Sequence, residues 1–90
     1  MQITVCYSAQ ARQAAKTSSE QVEISGPTSV RELLHRLVEK HDGLRRILLA
    51  DDGEPNAALL LFVGDEQICD PAYELKAGDT LSILPPVAGG

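Results

Sequence analysis

The residues of this sequence whose types and spacing best suit a chemical role form a short segment at its end, residues 85–90. It consists of Pro85, Pro86, Val87, Ala88, Gly89 and Gly90. The two prolines fix φ at about −65° and lack an amide donor, so they end the preceding apolar run and favour an extended exit. Six extended residues reach about 20 Å, and the two glycines have no Cβ to obstruct a narrow channel. We therefore expect the α-carboxylate of Gly90 to be the reactive group, presented by the rest of the chain.

The rest of the sequence offers no second reactive centre. His35 and Glu39 are spaced to share a helix face, but such an isolated pair is more typical of a surface than of a metal site. Cys6 and Cys69 lack C-x-x-C spacing, and Cys6, inside an alternating strand, is predicted to be a small buried hydrophobe. No G-x-S-x-G, H-E-x-x-H or phosphate-binding glycine loop is present. This pattern predicts a substrate or carrier that is not itself catalytic.

Length, composition and charge limit the class of protein further. Ninety residues with 43% hydrophobic content predict one globular domain. No apolar run is long enough to span a bilayer and no secretory signal is visible, so we expect a cytoplasmic protein without membrane contact. Residues 51–90 hold eight acids and one base. This acidic half disfavours nucleic acid and favours a basic partner cleft.

The elements that present the tail can be read from hydrophobic periodicity. Residues 2–8 and 20–25 alternate like half-buried strands. Ser29 and Glu32 fit a capping box at the start of an amphipathic helix, for which Gly43 is a plausible end. Later strands are predicted at 59–63, 67–68 and 80–84, which makes 1–84 the domain and 85–90 a flexible tail.

With one long helix, half of the predicted sheet stays uncovered. If Leu61 and Ile83 face the helix, alternation turns Leu60, Phe62 and Leu84 to the outer face. Exposed apolar patches usually mark interfaces. We therefore predict that Leu60, Phe62 and Leu84 contact a partner, the alternative being that short helical segments cover them as ordinary core.

The tail, together with residues 75–79 (Leu-Lys-Ala-Gly-Asp), resembles the MoaD/ThiS sulfur-carrier family. Residues 9–12 (Ala-Gln-Ala-Arg), after the first strand, and the Pro-Pro pair are most similar to the molybdopterin synthase small subunits of that family. The resemblance implies an α+β fold, a ubiquitin-like β-grasp. This is a mixed sheet of about five strands with one main helix on one face, the first and last strands lying side by side.

The resemblance also implies a function. An E1-like enzyme would use ATP to adenylate the Gly90 carboxylate, and a persulfide donor would then convert it to a thiocarboxylate. The molybdopterin synthase large subunit, or another sulfur-acceptor enzyme, would receive the tail in a channel and use that sulfur. In this scheme Gly90 carries the sulfur, and Gly89, without a side chain, lets the tail pass through the partner's channel. Residues 85–88 form a stiff spacer between the domain and the two glycines. The chain binds no cofactor of its own.

Other functions remain open. The ending Ile83-Leu84-Pro85 also resembles carriers that serve cysteine biosynthesis, and a thiamin-thiazole carrier is a further alternative. A ubiquitin-like modifier would join Gly90 to lysines of other proteins. A plain binding module would have an inert tail.

Overall fold

The computed structural model describes residues 1–85, which form seven β-strands and three α-helices. The strands are β1 Gln2–Tyr7, β2 Ser19–Glu23, β3 Thr28–Ser29, β4 Leu60–Val63, β5 Glu66–Gln67, β6 Glu74–Leu75 and β7 Thr80–Leu84. The helices are α1 Ala9–Ala15, α2 Val30–Lys40 and α3 Arg45–Leu48, and a 3-10 turn at Asp42–Leu44 leads into α3. None of these helices is long and apolar enough to cross a membrane.

Five strands form one mixed sheet in the order β2-β1-β7-β4-β5. The last strand, β7, lies in the middle, parallel to β1 and antiparallel to β4. Strands β3 and β6 form a separate antiparallel pair. Parallel neighbours need a long crossover connection, and residues 8–79 supply it, with α2 as its main helix. The structure confirms the predicted α+β, ubiquitin-like β-grasp architecture.

One face of the sheet packs against α2 to form the core. Ile3 and Val5 of β1 and Leu81 and Ile83 of β7 are all 0% exposed. The apolar stripe of α2 is buried against them and consists of Val30, Leu33, Leu34, Leu37 and Val38. Burial of each such side chain stabilises the fold by about 1.5–3 kcal/mol, so this face holds β1 and β7 firmly in place.

Helix α2 begins at the predicted capping box but ends earlier than expected. The Glu32 amide donates to Ser29 Oγ, and the Ser29 amide donates to Glu32 Oε1, both at 3.1 Å. The bond from the Ser29 amide holds the pKa of Glu32 below its ordinary value. The helix stops at Lys40 because His41 is extended, with φ −129° and ψ 93°. The prediction of Gly43 as the stop is therefore wrong, since Gly43 lies within the 3-10 turn.

One strand pair was missed, and one expectation needs correction. The β3–β6 pair was not predicted, because two strands of two residues each show no periodicity. Cys6 is half-buried rather than buried. The alternation that buries Val5 and Tyr7 turns Cys6 to the outer face of the sheet.

A hydrogen-bonded network ties edge strand β2 to the end of α2. Glu20 Oε2 accepts from the Tyr7 hydroxyl at 2.6 Å and from His41 Nε2 at 2.7 Å, while Glu20 Oε1 lies 2.6 Å from Lys40 Nζ. Burial alone would raise the pKa of Glu20, but the hydrogen bonds from Lys40, Tyr7 and His41 outweigh it and lower that pKa. Burial, reinforced by the Glu20 carboxylate, raises the pKa of Tyr7 well above its usual value. The phenol therefore stays a donor at neutral pH.

Candidate functional site

The described chain leaves the domain from the end of the central strand β7. Leu84, its last residue, pairs with Leu60 of β4, and Ile83 pairs with Tyr7 of β1. Pro85 is buried, so the first residue of the predicted tail packs with the rest of the protein. The remaining predicted tail residues lie outside the described residues, and the division into a domain over 1–84 and a tail over 85–90 stays a prediction. They are Pro86, Val87, Ala88, Gly89 and Gly90.

An apolar patch surrounds this exit on the outer face of the sheet. Leu60 is 46% exposed and Leu84 37%, and the two are cross-strand partners. Phe62, half-buried, lies two residues along β4 and pairs with Ser82. We call Leu60, Phe62 and Leu84 the exit patch. The structure places all three on the predicted face, and their role as a partner interface stays a prediction.

A groove of about 340 Å³ adjoins the exit patch and shares Leu60 with it. Its lining includes Leu60, Gln67, Ile68, Cys69, Asp70 and Pro71. The pairing of β4 with β5 covers only two residue pairs, Phe62 with Gln67 and Val63 with Glu66. Beyond these pairs the Ile68 amide still donates to the Leu61 carbonyl at 2.8 Å. Leu60 lines the groove as well as belonging to the exit patch, so a partner side chain has a concave surface to enter beside it.

Exposed acidic side chains lie on the segment that follows β4. Asp65 and Glu66 lie in the turn and strand that follow β4, both are exposed, and Asp70 lines the groove. Lys76 is the one base among residues 51–85. Asp70 thus gives the groove a negative charge, and opposite charges accelerate encounters with a basic partner surface.

The turn after β1 makes a direct contact with the end of β7. Ser8 Oγ donates to the Ile83 carbonyl at 3.0 Å. The next residue, Ala9, has a positive φ of 52°, which is unusual for a residue other than glycine. Sequence reasoning missed Ser8, because only the register between β1 and β7 shows that its hydroxyl faces the strand that precedes the tail.

Both histidines have structural roles. His35 Nε2 lies 2.8 Å from the Gly53 carbonyl, which ties α2 to the loop after α3, and His41 belongs to the Glu20 network. Within residues 1–85, no group of three or more histidines, cysteines or acids is arranged to hold a metal ion.

Comparison with known proteins relates this geometry to one family. The ThiS family model matches residues 5–90. No curated protein matches the chain significantly. SAMP1 from Haloferax volcanii is 27% identical, with a TM-score of 0.90 over 100% of both chains.

Two further solved structures have the same architecture. A chain of the BexX/CysO complex from Amycolatopsis orientalis is 30% identical, with a TM-score of 0.74 over 98% of this chain and 99% of that chain. The putative molybdopterin converting factor subunit 1 from Pyrococcus furiosus, at 24% identity and a TM-score of 0.79, shares the fold over 97% of this chain and 99% of that chain. With the family model matching nearly the whole sequence and the β-grasp architecture in place, the chain belongs to the ThiS family of ubiquitin-like sulfur carriers.

Proposed function

We propose that Gly90 carries sulfur as a C-terminal thiocarboxylate and that the chain is the small subunit of a molybdopterin synthase, in molybdenum cofactor biosynthesis. The exit patch is the observation that carries this proposal. At the end of β7, which leads to the tail, Leu84 pairs with Leu60 of β4 and Ile83 pairs with Tyr7 of β1. Leu60 and Leu84 are both exposed at this point. A partner that binds this patch has the start of the tail at its surface.

The chemistry follows from the nature of a carboxylate. It is ionised at neutral pH and resists nucleophilic attack, because attack would add charge to an anion. An E1-like enzyme overcomes this when the carboxylate oxygen attacks the α-phosphate of ATP, releasing pyrophosphate and forming an acyl-adenylate. The terminal sulfur of a persulfide then attacks the carbonyl and AMP leaves. A thiol reduces the resulting acyl disulfide, which frees the thiocarboxylate.

The chain's own contribution is presentation. One face of the sheet is covered by α2, while the exit patch on the opposite face stays open and shares Leu60 with the groove. Binding orders a tail at a cost of about 1–2 kcal/mol per residue. Burial of the three side chains of the exit patch, at about 1.5–3 kcal/mol each when complete, offsets a large part of that cost.

The molybdopterin assignment rests on residues 9–12 and on Pro85 and Pro86, which are similar to the small subunits of that enzyme. The large subunit would be the sulfur acceptor. The 30% identity to a chain of the BexX/CysO complex favours, as the nearest alternative, a carrier that serves a different partner enzyme. The match to SAMP1 over the full length of both chains favours, as a second candidate, a protein modifier conjugated through Gly90.

Intact-mass spectrometry tests the carrier chemistry. The purified chain is incubated with an E1-like enzyme, ATP and a sulfide source. We expect a mass gain equal to the exchange of one oxygen for sulfur, and no gain for a variant that lacks Gly90. An unchanged wild-type mass under conditions in which the enzyme consumes ATP would contradict the proposal.

The loaded chain then separates the alternatives. Addition of the large subunit and the cofactor precursor should return the unmodified mass and produce a dithiolene. A loaded chain that keeps its sulfur under these conditions refutes the molybdopterin assignment. Immunoblots of cell extract that show a ladder of conjugates, lost without Gly90, would identify a modifier.

A further inference from the structure

We propose that Ser8 is a positioning residue for the sulfur-carrying tail, acting through the carbonyl of Ile83. This inference rests on the proposed function and extends it, because one hydroxyl group outside β7 would set the direction in which the chain leaves that strand. The contact is Ser8 Oγ to Ile83 O at 3.0 Å, between residues 75 positions apart in the sequence.

The hydroxyl continues the hydrogen bonding between β1 and β7 beyond the end of β1. The register runs from Thr4 opposite Thr80 to Tyr7 opposite Ile83, and the Thr4 amide donates to the Asp79 carbonyl. In a parallel pair the donors of one strand recur at every second residue. A continued ladder would therefore have the Ser8 amide donate to the Ile83 carbonyl. Within residues 1–85, the side-chain hydroxyl of Ser8 makes that bond.

The local backbone adopts an unfavourable geometry around this contact. Ser8 is the N-cap residue of α1, yet its side chain makes no capping hydrogen bond, although serine is among the best capping residues. Ala9 adopts a φ of 52°, where L-residues other than Asn and Asp are rare. The Ser8 hydroxyl therefore does not cap α1, and the neighbouring Ala9 is strained. We take both features to indicate that the local backbone is arranged so that the hydroxyl bonds the Ile83 carbonyl.

The position of the contact connects it to the tail. Ile83 is the last residue of β7 that pairs with β1, and Leu84 is the last that pairs with β4. Pro85 has no amide hydrogen, so it cannot extend the ladder toward either neighbour. On the β1 side, the Ser8 bond is thus the last one before the chain leaves the sheet, within the described part of the chain.

Loss of this bond would widen the range of directions in which the chain leaves β7. The exit patch would be unchanged, because Leu60, Phe62 and Leu84 lie on β4 and β7 and do not contact Ser8 through any described hydrogen bond. We therefore expect docking on the activating enzyme to persist while fewer complexes place the carboxylate at the ATP phosphate. Small misplacements of reacting groups have large effects on rate.

Adenylation kinetics of Ser8→Ala test the inference. Pyrophosphate release by the E1-like enzyme gives kcat and the KM for the carrier. We expect kcat to fall about three- to tenfold, the range for one lost hydrogen bond, while KM stays within about twofold of wild type. Ser8→Thr restores a hydroxyl on an extended residue and should recover kcat. Ser8→Cys keeps the shape with a weak donor and should behave like Ser8→Ala.

Thr28→Val is the matched control. Thr28 Oγ1 donates to the Gly26 carbonyl at 3.0 Å, and Thr28 lies in β3, outside the sheet that contains β7. This variant loses a hydroxyl-to-carbonyl bond of the same kind, and we expect a lower melting temperature with an unchanged kcat. The Ile83 carbonyl ¹³C shift should move in Ser8→Ala and Ser8→Cys and not in Thr28→Val.

The outcomes separate this inference from the function on which it rests. A wild-type chain that is never adenylated overturns the proposed function, and the role of Ser8 with it. A wild-type chain that is adenylated, with Ser8→Ala and Ser8→Cys both keeping the wild-type kcat, overturns the role of Ser8 alone. Equal losses of kcat in Thr28→Val and Ser8→Ala also overturn it, since they would reflect stability. If Ser8→Ala does not fold, Ser8→Cys decides the result.

Discussion

Replacement of Glu20 by glutamine tests whether a charged carboxylate holds edge strand β2 against the end of α2. Glutamine keeps the side-chain length but has a single acceptor oxygen and an NH₂ donor. Tyr7, Lys40 and His41 would then compete for that oxygen, and the new NH₂ group would face at least one of these donors. The folded state therefore loses stability, while the exposed side chain of the unfolded state is affected little.

The size of the loss follows from the exposure of the partners. A hydrogen bond to a charged group contributes about 1.5–3 kcal/mol. The Glu20 side chain is 13% exposed, so water screens it weakly, whereas Lys40 is 56% exposed and its ion pair adds little. We expect E20Q to lower the free energy of unfolding at pH 7 by about 1.5–3 kcal/mol, a fall of roughly 6–24 °C in Tm for a domain of this size.

The pH dependence gives a second, independent signature. Because the folded state lowers the pKa of Glu20, its stabilisation is complete above the unfolded-state pKa of about 4.3. It is lost as the pH falls through the lower folded-state value. Thermal melts by circular dichroism should therefore show the wild type and E20Q well separated at neutral pH and converging below about pH 4.

Glu23→Gln is the control for this experiment. Glu23 lies on the same strand and is 69% exposed, with an ion pair to the N-terminus at 3.1 Å, so we expect a loss below about 0.5 kcal/mol. A difference in stability between wild type and E20Q that persists in acid, or an equal loss of stability in E23Q, would refute the reasoning. Neither result is expected if the partly buried charge of Glu20 provides the stabilisation.

Four further predictions concern the exit patch, the turn after β1, the core and the tail. Leu60→Asp should leave the free energy of unfolding within about 0.5 kcal/mol and raise the KM for the activating enzyme roughly tenfold, by removing about 1.5 kcal/mol of apolar contact. Ala9→Gly should raise the free energy of unfolding by about 0.5–1 kcal/mol in urea titrations, because glycine adopts the φ of 52° without strain. Leu37→Ala should cost about 2–5 kcal/mol, since Leu37 is 1% exposed, whereas deletion of Gly90 should abolish sulfur loading at an unchanged Tm.

Matched variants accompany these predictions. Gln21→Asp places the same charge on an exposed residue of β2 and should leave KM unchanged, so an equal rise in KM would implicate charge rather than the exit patch. Ala14→Gly, inside α1 where φ is helical, should destabilise by about 1 kcal/mol. A Gly90 deletion that unfolds the protein would contradict the separation of scaffold and tail.

Local patterns were sufficient to predict the main elements of the fold. The capping box at Ser29 and Glu32 identified the start of α2, and the apolar stripe identified its buried face. Alternation along β1 and β7 identified which residues face the core. These signals depend on neighbours within a few positions, so they are visible in the sequence.

The contacts that were missed join residues far apart along the chain. Tyr7 and Glu20 are 13 positions apart, and Glu20 and His41 are 21 positions apart. No periodicity links such residues, and their meeting depends on the strand order and on where α2 ends. The same holds for Ser8, whose partner follows only from the parallel register of β1 and β7.

The central place of β7 has a consequence for synthesis of the protein. Before residues 80–84 are made, the growing chain has the β1–β2 hairpin and the β4–β5 hairpin, with no strand to join them. Isolated hairpins are marginally stable in water, and an unfolded chain is open to proteolysis. We therefore expect a copy that stops short of β7 to stay unfolded and open to proteolysis. The topology thus makes folding conditional on translation of the segment from which the tail departs.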